Sequence, residues 1–453
     1  MKKLLFYAVA LLSVATALSG CKKDEGGAEL PTPVISVKQP KSYPGMSGTY
    51  SINYSIENPR EGVLPEASSE DSWITGLSVN EKSVSFKLSE NSSGKMRDGT
   101  IALSYQDAEG ASISITQEGI TYLNQTATAN CYIVTGAGTY VFPPVKGNSD
   151  ESVGAVKSVE VLWESFGTSD APKKGDLISE VSFKNDMIYF STNENFKRGN
   201  ALIAAKDEAG KILWSWHIWM TDQPEDQAYN NDAGTMMDRN LGATSAFPGD
   251  IYAIGLLYQW GRKDPFLGSS STTESVMAKS TLDPWPSAVD DGGYMDYAIE
   301  NPTTFIKYSG SGYDWLEASD KTLWDEKKTI YDPCPPGYRI PNGSFFGIWR
   351  TALNGTNINT NDGFDNNAYG TNFGDSGSGT NKLSDAKVCW YPACGLYDGN
   401  RYLLSGVGTC YCWSYDFTNN GEETYCFYFT KDNIKAAYGM KRFNALSVRC
   451  QKE

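Results

Sequence analysis

The chain has 453 residues, a length that predicts two to four domains. Its 54 acidic residues outnumber its 39 lysines and arginines, which gives a net charge of −15 and leaves no basic block for a phosphate backbone. Composition therefore argues against nucleic-acid binding. The single histidine, His217, argues against most hydrolytic chemistry, because histidine is the usual general base and the commonest zinc ligand.

The first twenty residues have the pattern of a secretory signal. Lys2 and Lys3 precede an apolar run over 4–17, which is shorter than the roughly 20 residues that a membrane-spanning helix needs. The run ends in Leu18-Ser19-Gly20-Cys21, which resembles the lipobox of bacterial lipoproteins. The resemblance implies cleavage of residues 1–20 and lipidation of Cys21. We expect the lipid to hold the protein at the outer membrane, at the cell surface, and the sequence leaves open which leaflet carries it. The alternative is an ordinary signal with a chance cysteine.

Residues 21–32 are charged and interrupted by glycine and proline, which is typical of a tether. Over 33–119, short alternating apolar runs and turn clusters recur about every ten residues and predict a β-sandwich. Trp73-Ile74, the run 84–88 and the closing segment 113–119 resemble the BACON domain. That family is an immunoglobulin-like module of Bacteroidetes surface proteins whose name records a proposed carbohydrate role. We expect this copy to act as a spacer.

Residues 122–222 are predicted to form a second β domain. The segments 201–206 and 212–218 predict a hairpin that turns at 207–210. His217 lies in the aromatic second strand, where we expect it to be packed and hydrogen-bonded. Cys131 has no neighbouring cysteine in the sequence and is expected to be a buried free thiol.

Residues 225–453 carry five motifs that resemble, in order, the FISUMP (Fibrobacter succinogenes major paralogous) domain. They are Met236–Ala243, Gly255–Arg262, Asp332–Pro341, Tyr391–Gly395 with Cys412–Ser414, and Ser447–Cys450. The family is thought to be related to C-type-lectin-like folds. The expected fold class is therefore mainly β, with two immunoglobulin-like β-sandwich modules followed by a C-type-lectin-like α+β domain.

The cysteines of this last region raise the question of pairing. Cys334 and Cys450 match two cysteines that recur in the family, and the resemblance implies that they bond each other. A second bridge between Cys412 and Cys426 is an alternative if 412–417 and 424–429 form a hairpin, although its register is uncertain by a residue or more. The remaining cysteines, Cys389, Cys394 and Cys410, are left open between further bridges and free thiols.

Three tryptophans in the long insertion between Gly268 and Asp332 are candidate ligand-binding residues. If Trp285, Trp315 and Trp324 were exposed, their faces could stack on sugar rings; the alternative is that they fill a loop-rich core. Trp285, between two prolines, is expected to protrude most. The Asn/Asp-rich loop 361–367 could supply oxygen ligands for calcium, but its spacing matches no calcium loop, so no metal or cofactor is predicted.

These observations favour a non-enzymatic function in recognition or adhesion, with a glycan or a host-surface molecule as ligand of the C-terminal domain. No nucleophile elbow is present, and we expect no catalytic residues. One alternative is an accessory or tip subunit of a Bacteroidales fimbria, whose partners would be other fimbrial subunits. Another is a component of a glycan-utilisation system.

Overall fold

The computed structural model describes residues 30–40, 42–290, 292–307, 314–356, 360–374, 382–401 and 403–453. The expected signal peptide, Cys21 and most of the expected tether lie outside this part of the chain. The regular secondary structure of the described chain is almost entirely β-strand, so the expected mainly β fold class is confirmed. Within the described residues, no helix is both long enough and apolar enough to cross a membrane.

The first β-sandwich follows from period-two alternation of apolar and polar residues. In the strand Ser83–Leu88, for example, Val84, Phe86 and Leu88 are buried and the residues between them are not. Two sheets, ordered β1-β2-β5-β4 and β3-β6-β7, enclose one core. The strands are β1 (Val34–Val37), β2 (Gly48–Glu57), β3 (Glu66–Ser68), β4 (Ile74–Val79), β5 (Ser83–Leu88), β6 (Arg97–Ser104) and β7 (Ala111–Gln117).

The second β-sandwich comprises the strands β8 (Ile120–Tyr122), β9 (Cys131–Val134), β10 (Thr139–Phe142), β11 (Ser158–Ser165), β12 (Ile178–Lys184), β13 (Met187–Thr192), β14 (Gly199–Lys206) and β15 (Ile212–Met220). Its sheets are ordered β12-β13-β10-β8 and β11-β14-β15-β9. The predicted hairpin is confirmed as β14 and β15, with Leu202 opposite His217. The carboxylate of Asp207 accepts hydrogen bonds from the backbone N–H groups of Ala209 and Lys211 and so holds the turn.

In its described residues, the C-terminal region has shorter strands, two short helices and long irregular connections. Its strands are β16 (Asp226–Tyr229), β17 (Gly234–Met237), β18 (Leu257–Gln259), β19 (Tyr338–Arg339), β20 (Phe364–Asp365), β21 (Gly370–Asn372), β22 (Trp390–Pro392), β23 (Leu396–Asp398), β24 (Leu403–Ser405), β25 (Cys410–Phe417), β26 (Thr424–Phe429), β27 (Ile434–Met440), β28 (Ala445–Ser447) and β29 (Gln451–Lys452). The helices are α1 (Met295–Glu300) and α2 (Ile348–Ala352), with a 3-10 turn over Ile251–Ala253. The sheets are β16-β17-β29-β19, β20-β21-β22 and β24-β23-β28-β25-β26-β27, with β18 added to β28.

The β14–β15 hairpin is buried on both faces. Ile203 and Trp216 point into the core of the second sandwich, whereas Leu202 and Trp219 point the other way, into the C-terminal region. The residues that they join there include Leu241, Tyr258 and Leu446. The second sandwich and the C-terminal region are therefore packed around one shared core.

His217 lies at this junction. Its Nε2 is 2.9 Å from Oδ1 of Asn200, and its Nδ1 is 3.4 Å from the hydroxyl of Tyr258. Burial lowers the pKa of His217 to about 3, so the ring is neutral. Because Oδ1 of Asn200 can only accept, Nε2 carries the proton, and Nδ1 is left to accept from Tyr258. The predicted packed, hydrogen-bonded role is confirmed.

A second polar contact joins the same two units through Asn130. Its Nδ2 donates to the carbonyl oxygens of Ile330, at 2.7 Å, and Asp332, at 2.9 Å. Its Oδ1 accepts from the indole of Trp214 at 2.9 Å, so the amide is fixed from both ends. Buried polar groups that are paired in this way add directional constraints to a mainly apolar contact.

The disulfide between Cys334 and Cys450 is present, with the Cα atoms 6.0 Å apart, so the pairing implied by the family resemblance is confirmed. It joins positions 116 residues apart, and a crosslink of that span contributes about 4–5 kcal/mol in the chain-entropy model.

The alternative bridge between Cys412 and Cys426 is wrong, because both thiols are free. In the register of β25 and β26, Cys426 lies opposite Trp413, and Cys412 lies opposite Phe427. This offset of one residue turns the two side chains toward opposite faces of the sheet. Cys412 is buried in one core cluster and Cys426 in another. Cys131 is a buried free thiol, as predicted, and Cys389, Cys394 and Cys410 are also free.

Candidate functional site

The three candidate tryptophans do not form an exposed platform. Trp315 and Trp324 are fully buried, and their indole N–H groups donate to the carbonyl oxygens of Trp260 and Tyr331. Trp285 is half-buried, with its ring centroid 5.8 Å from that of Trp163. The prediction that Trp315 and Trp324 bind a ligand is therefore wrong. The insertion has little regular secondary structure, and its large aromatic side chains supply a core instead.

The side chains of Asn361 and Asp365 hold the loop 361–367 in place by hydrogen bonds within the loop and to neighbouring residues. Oδ1 of Asp365 accepts from the backbone N–H groups of Asn367 and Ala368, and Nδ2 of Asn361 donates to Thr371 and to the carbonyl oxygen of Thr430. Elsewhere in the described ranges too, no group of three or more His, Cys, Asp or Glu side chains is arranged to hold a metal ion.

A cleft of about 990 Å³ lies where the second sandwich meets the C-terminal region. The second sandwich contributes side chains from loops beside β11, β14 and β15, which include Phe166, Thr168 and Arg198. The C-terminal region contributes β16, residues 238–239, the loop 244–252 and residues 386–388. The shared core beneath these loops fixes the two walls relative to each other.

A chain of ion pairs crosses the base of the cleft. The guanidinium of Arg239 makes two hydrogen bonds of 2.8 Å to the carboxylate of Asp238 and two of 3.0 and 3.1 Å to that of Asp222. Arg198 pairs with Asp222 at 3.0 Å and donates to the carbonyl oxygen of Thr244 at 3.2 Å. Arg239 and Asp238 are buried, whereas Arg198 is largely exposed. The chain therefore links the two walls of the cleft.

The ion pairs keep nearby carboxyl groups ionised. Burial alone would raise the pKa of Asp222, but the hydrogen bonds and charge of Arg239 outweigh it, and the pKa is lowered. The pKa of Asp226 is lowered in the same way, because Lys452 and Tyr338 outweigh the effect of burial. A glycosidase acid needs the opposite shift, toward a raised pKa. These two carboxylates are suited to accept hydrogen bonds from a ligand.

Two exposed aromatic rings stand at the rim of the cleft. Phe247 is 67% exposed and Tyr252 is 45% exposed. Their loop is closed at its ends, because the backbone N–H groups of Thr244 and Ser245 both donate to the carbonyl oxygen of Tyr252. Oδ1 of Asp250 accepts from the backbone N–H of Tyr252 and caps the 3-10 turn. The rings are therefore presented on a short, internally bonded loop.

The sequence alone does not indicate this cleft. Asp238 and Arg239 belong to the segment 236–243 that resembles a family motif, and that resemblance assigns them no chemistry. One signal was available, since Phe247 precedes Pro248-Gly249, a turn dipeptide that places an aromatic residue on a loop. No sequence pattern shows that this loop faces residues 166–170 and 386–388.

No model of a known protein family matches the sequence, and no curated protein matches it. Solved structures with some similarity include a Bacteroides ovatus GH5 xyloglucanase in complex with a XXXG heptasaccharide, at 15% identity and a TM-score of 0.16 over 34% of this chain and 29% of that one. An I-band fragment of titin gives 10% identity and a TM-score of 0.17 over 42% and 65% of the two chains. An endo-fucoidan hydrolase of glycoside hydrolase family 107 gives 8% identity and a TM-score of 0.18 over 41% and 28%. This chain spans less than two thirds of each structure, and scores of this size carry no argument about function.

The Arg239→Gln variant is expected to lower the free energy of unfolding by about 3–5 kcal/mol, because it leaves the buried carboxylate of Asp238 without its cation. Arg198→Gln is the matched control, since it removes a guanidinium that is 55% exposed and should cost less than about 1 kcal/mol. Urea unfolding of both variants measures the difference. Equal losses for the two variants would contradict the assignment of Arg239 as the buried centre of the ion-pair chain.

Proposed function

We propose that this chain is a lipid-anchored recognition protein of the cell envelope that binds a glycan in the cleft between the second sandwich and the C-terminal region. The observation that carries the proposal is the placement of exposed Phe247 and Tyr252 above ionised carboxylates and arginines in a single cleft. Aromatic rings can stack on the apolar face of a sugar, and carboxylates accept hydrogen bonds from its hydroxyl groups. A concave site with a few polar groups of fixed position is typical of small-ligand binding.

The architecture supports different roles for the domains along the chain. The cleft takes its lining from residue 166 onward, so the first sandwich contributes none of it. Met46 of the first sandwich packs against a small apolar cluster of the second, formed by Ile120, Val141 and Tyr189. Tyr122 of the second sandwich also donates a 2.8 Å hydrogen bond to Glu90 of the first. The first sandwich then acts as a spacer, and the C-terminal region, for which the FISUMP-like motifs imply a lectin-like fold, supplies one wall of the binding site.

The proposed anchor is the lipid on Cys21, which would hold the protein at the outer membrane with the cleft facing away from the cell. Mass spectrometry of protein purified from the native membrane should give an N-terminal peptide that begins at Cys21 and carries acyl chains. Each buried CH₂ contributes about 0.8 kcal/mol, so Cys21→Ser should release the protein into the soluble fraction. An unmodified thiol, or a Cys21→Ser protein that stays in the membrane, would refute the anchor.

The glycan proposal is tested by screening the mature protein against an array of neutral, amino and acidic oligosaccharides. For any glycan that binds, the double variant Phe247→Ala/Tyr252→Ala should weaken binding by about 5- to 150-fold, since each ring contributes about 0.5–1.5 kcal/mol by stacking. Phe346→Ala is the matched control, because Phe346 is 92% exposed and does not line the cleft. Absence of binding by folded protein, or an equal loss in Phe346→Ala, would overturn the proposal.

A further inference from the structure

The charges of the cleft do not balance once its internal ion pairs are set aside. Asp238, Arg239, Asp222 and Arg198 form a chain with two charges of each sign. Two further lining residues are paired with partners outside the lining, Asp226 with Lys452 and Lys197 with Asp176. These pairs leave little net charge of their own at the base of the cleft.

Three carboxylates remain in the lining. Asp170, Glu225 and Asp250 form no ion pair with any cation in the part of the chain that the structure describes. Among the described residues of the lining, Lys387 is the one cation that forms no ion pair. The unpaired charge of the cleft is therefore negative, as is the charge of the whole chain.

The buried side-chain amide of Gln227 provides a second, independent observation that favours a ligand with hydrogen-bond donors. Gln227 of β16 lines the cleft and is nine-tenths buried, and its Nε2 donates to the carbonyl oxygen of Val388. Its Oε1 has no hydrogen-bond partner among the residues that the structure describes. A buried acceptor without a donor is costly, and Oε1 has almost no exposed surface here, so the Gln227 side chain would gain by turning this oxygen toward a donor on a ligand. The unpaired groups of the cleft thus favour a ligand that brings positive charge and hydrogen-bond donors.

We propose that the ligand of the cleft carries a protonated amine, as a glycan with free amino sugars does; this rests on the proposed glycan-binding function. An ammonium group has three donors and no acceptor, which matches the unpaired carboxylates and the free Oε1 of Gln227. It is also attracted to the faces of aromatic rings such as those of Phe247 and Tyr252. A uronic acid or a sulfated sugar would instead bring a negative charge to an already negative site.

The test compares a glucosamine oligomer with the N-acetylated oligomer of the same length, by titration calorimetry on the mature protein. The free-amine oligomer should bind about tenfold more tightly, and added salt should reduce this preference because Asp170 and Glu225 are exposed and Asp250 is partly exposed. The variant Glu225→Gln/Asp250→Asn should abolish the preference, since each exposed charge pair is worth up to about a fivefold change in affinity. Asn caps a helical turn as well as Asp does, so the loop 244–252 is retained.

The matched control is Glu61→Gln/Glu109→Gln, which removes the same charge from exposed positions of the first sandwich and should leave the preference intact. Equal binding of both oligomers, tighter binding of an acidic oligosaccharide, or an equal effect of the control would overturn the amine proposal while leaving glycan binding standing. If the folded protein bound none of these oligomers, and no other glycan, the proposed function itself would fall.

Discussion

Burial of both faces of the β14–β15 hairpin is the constraint on which the rest of the structure depends. A strand of an antiparallel sandwich usually has one face in the core and one in water. Here the second face is covered by the C-terminal region, so Trp219 and Leu202 contribute to a core that neither unit completes alone. The two walls of the cleft are consequently parts of one packed body.

The contact between the second sandwich and the C-terminal region is mainly apolar, and its buried polar groups make it specific. His217 is held neutral between Asn200 and Tyr258, and the amide of Asn130 bridges the indole of Trp214 and two backbone carbonyls. A shift of either unit would leave these buried groups unpaired, at a cost of about 1–3 kcal/mol each. The ion pairs of Arg239 repeat this arrangement at the base of the cleft, where one guanidinium satisfies two carboxylates.

The sequence predicted the features that depend on local pattern. The β14–β15 hairpin followed from two apolar runs around a turn that contains Asp207 and Gly210, and the buried role of His217 followed from its aromatic neighbours. The pairing of Cys334 with Cys450 followed from a family resemblance rather than from spacing. The sequence did not predict the strand register. An offset of one residue between β25 and β26 places Cys412 and Cys426 on opposite faces of the sheet.

The candidate site could not be predicted because it is assembled from segments that are distant in the chain. Residues 166–170, 197–198, 222–252 and 386–388 meet only after the C-terminal region has packed on the hairpin. The same packing explains why Trp315 and Trp324 became core residues. Their aromatic character indicated a large apolar surface, but the sequence did not show which side of that surface would face water.

Native-state hydrogen exchange on the full mature protein tests the shared core most directly. If the second sandwich and the C-terminal region are one cooperative body, the slowest amides of β14, β15 and β28 should exchange with a common opening free energy and a common dependence on denaturant. Opening of β28 at a clearly lower free energy, while β14 and β15 remain protected, would contradict the account.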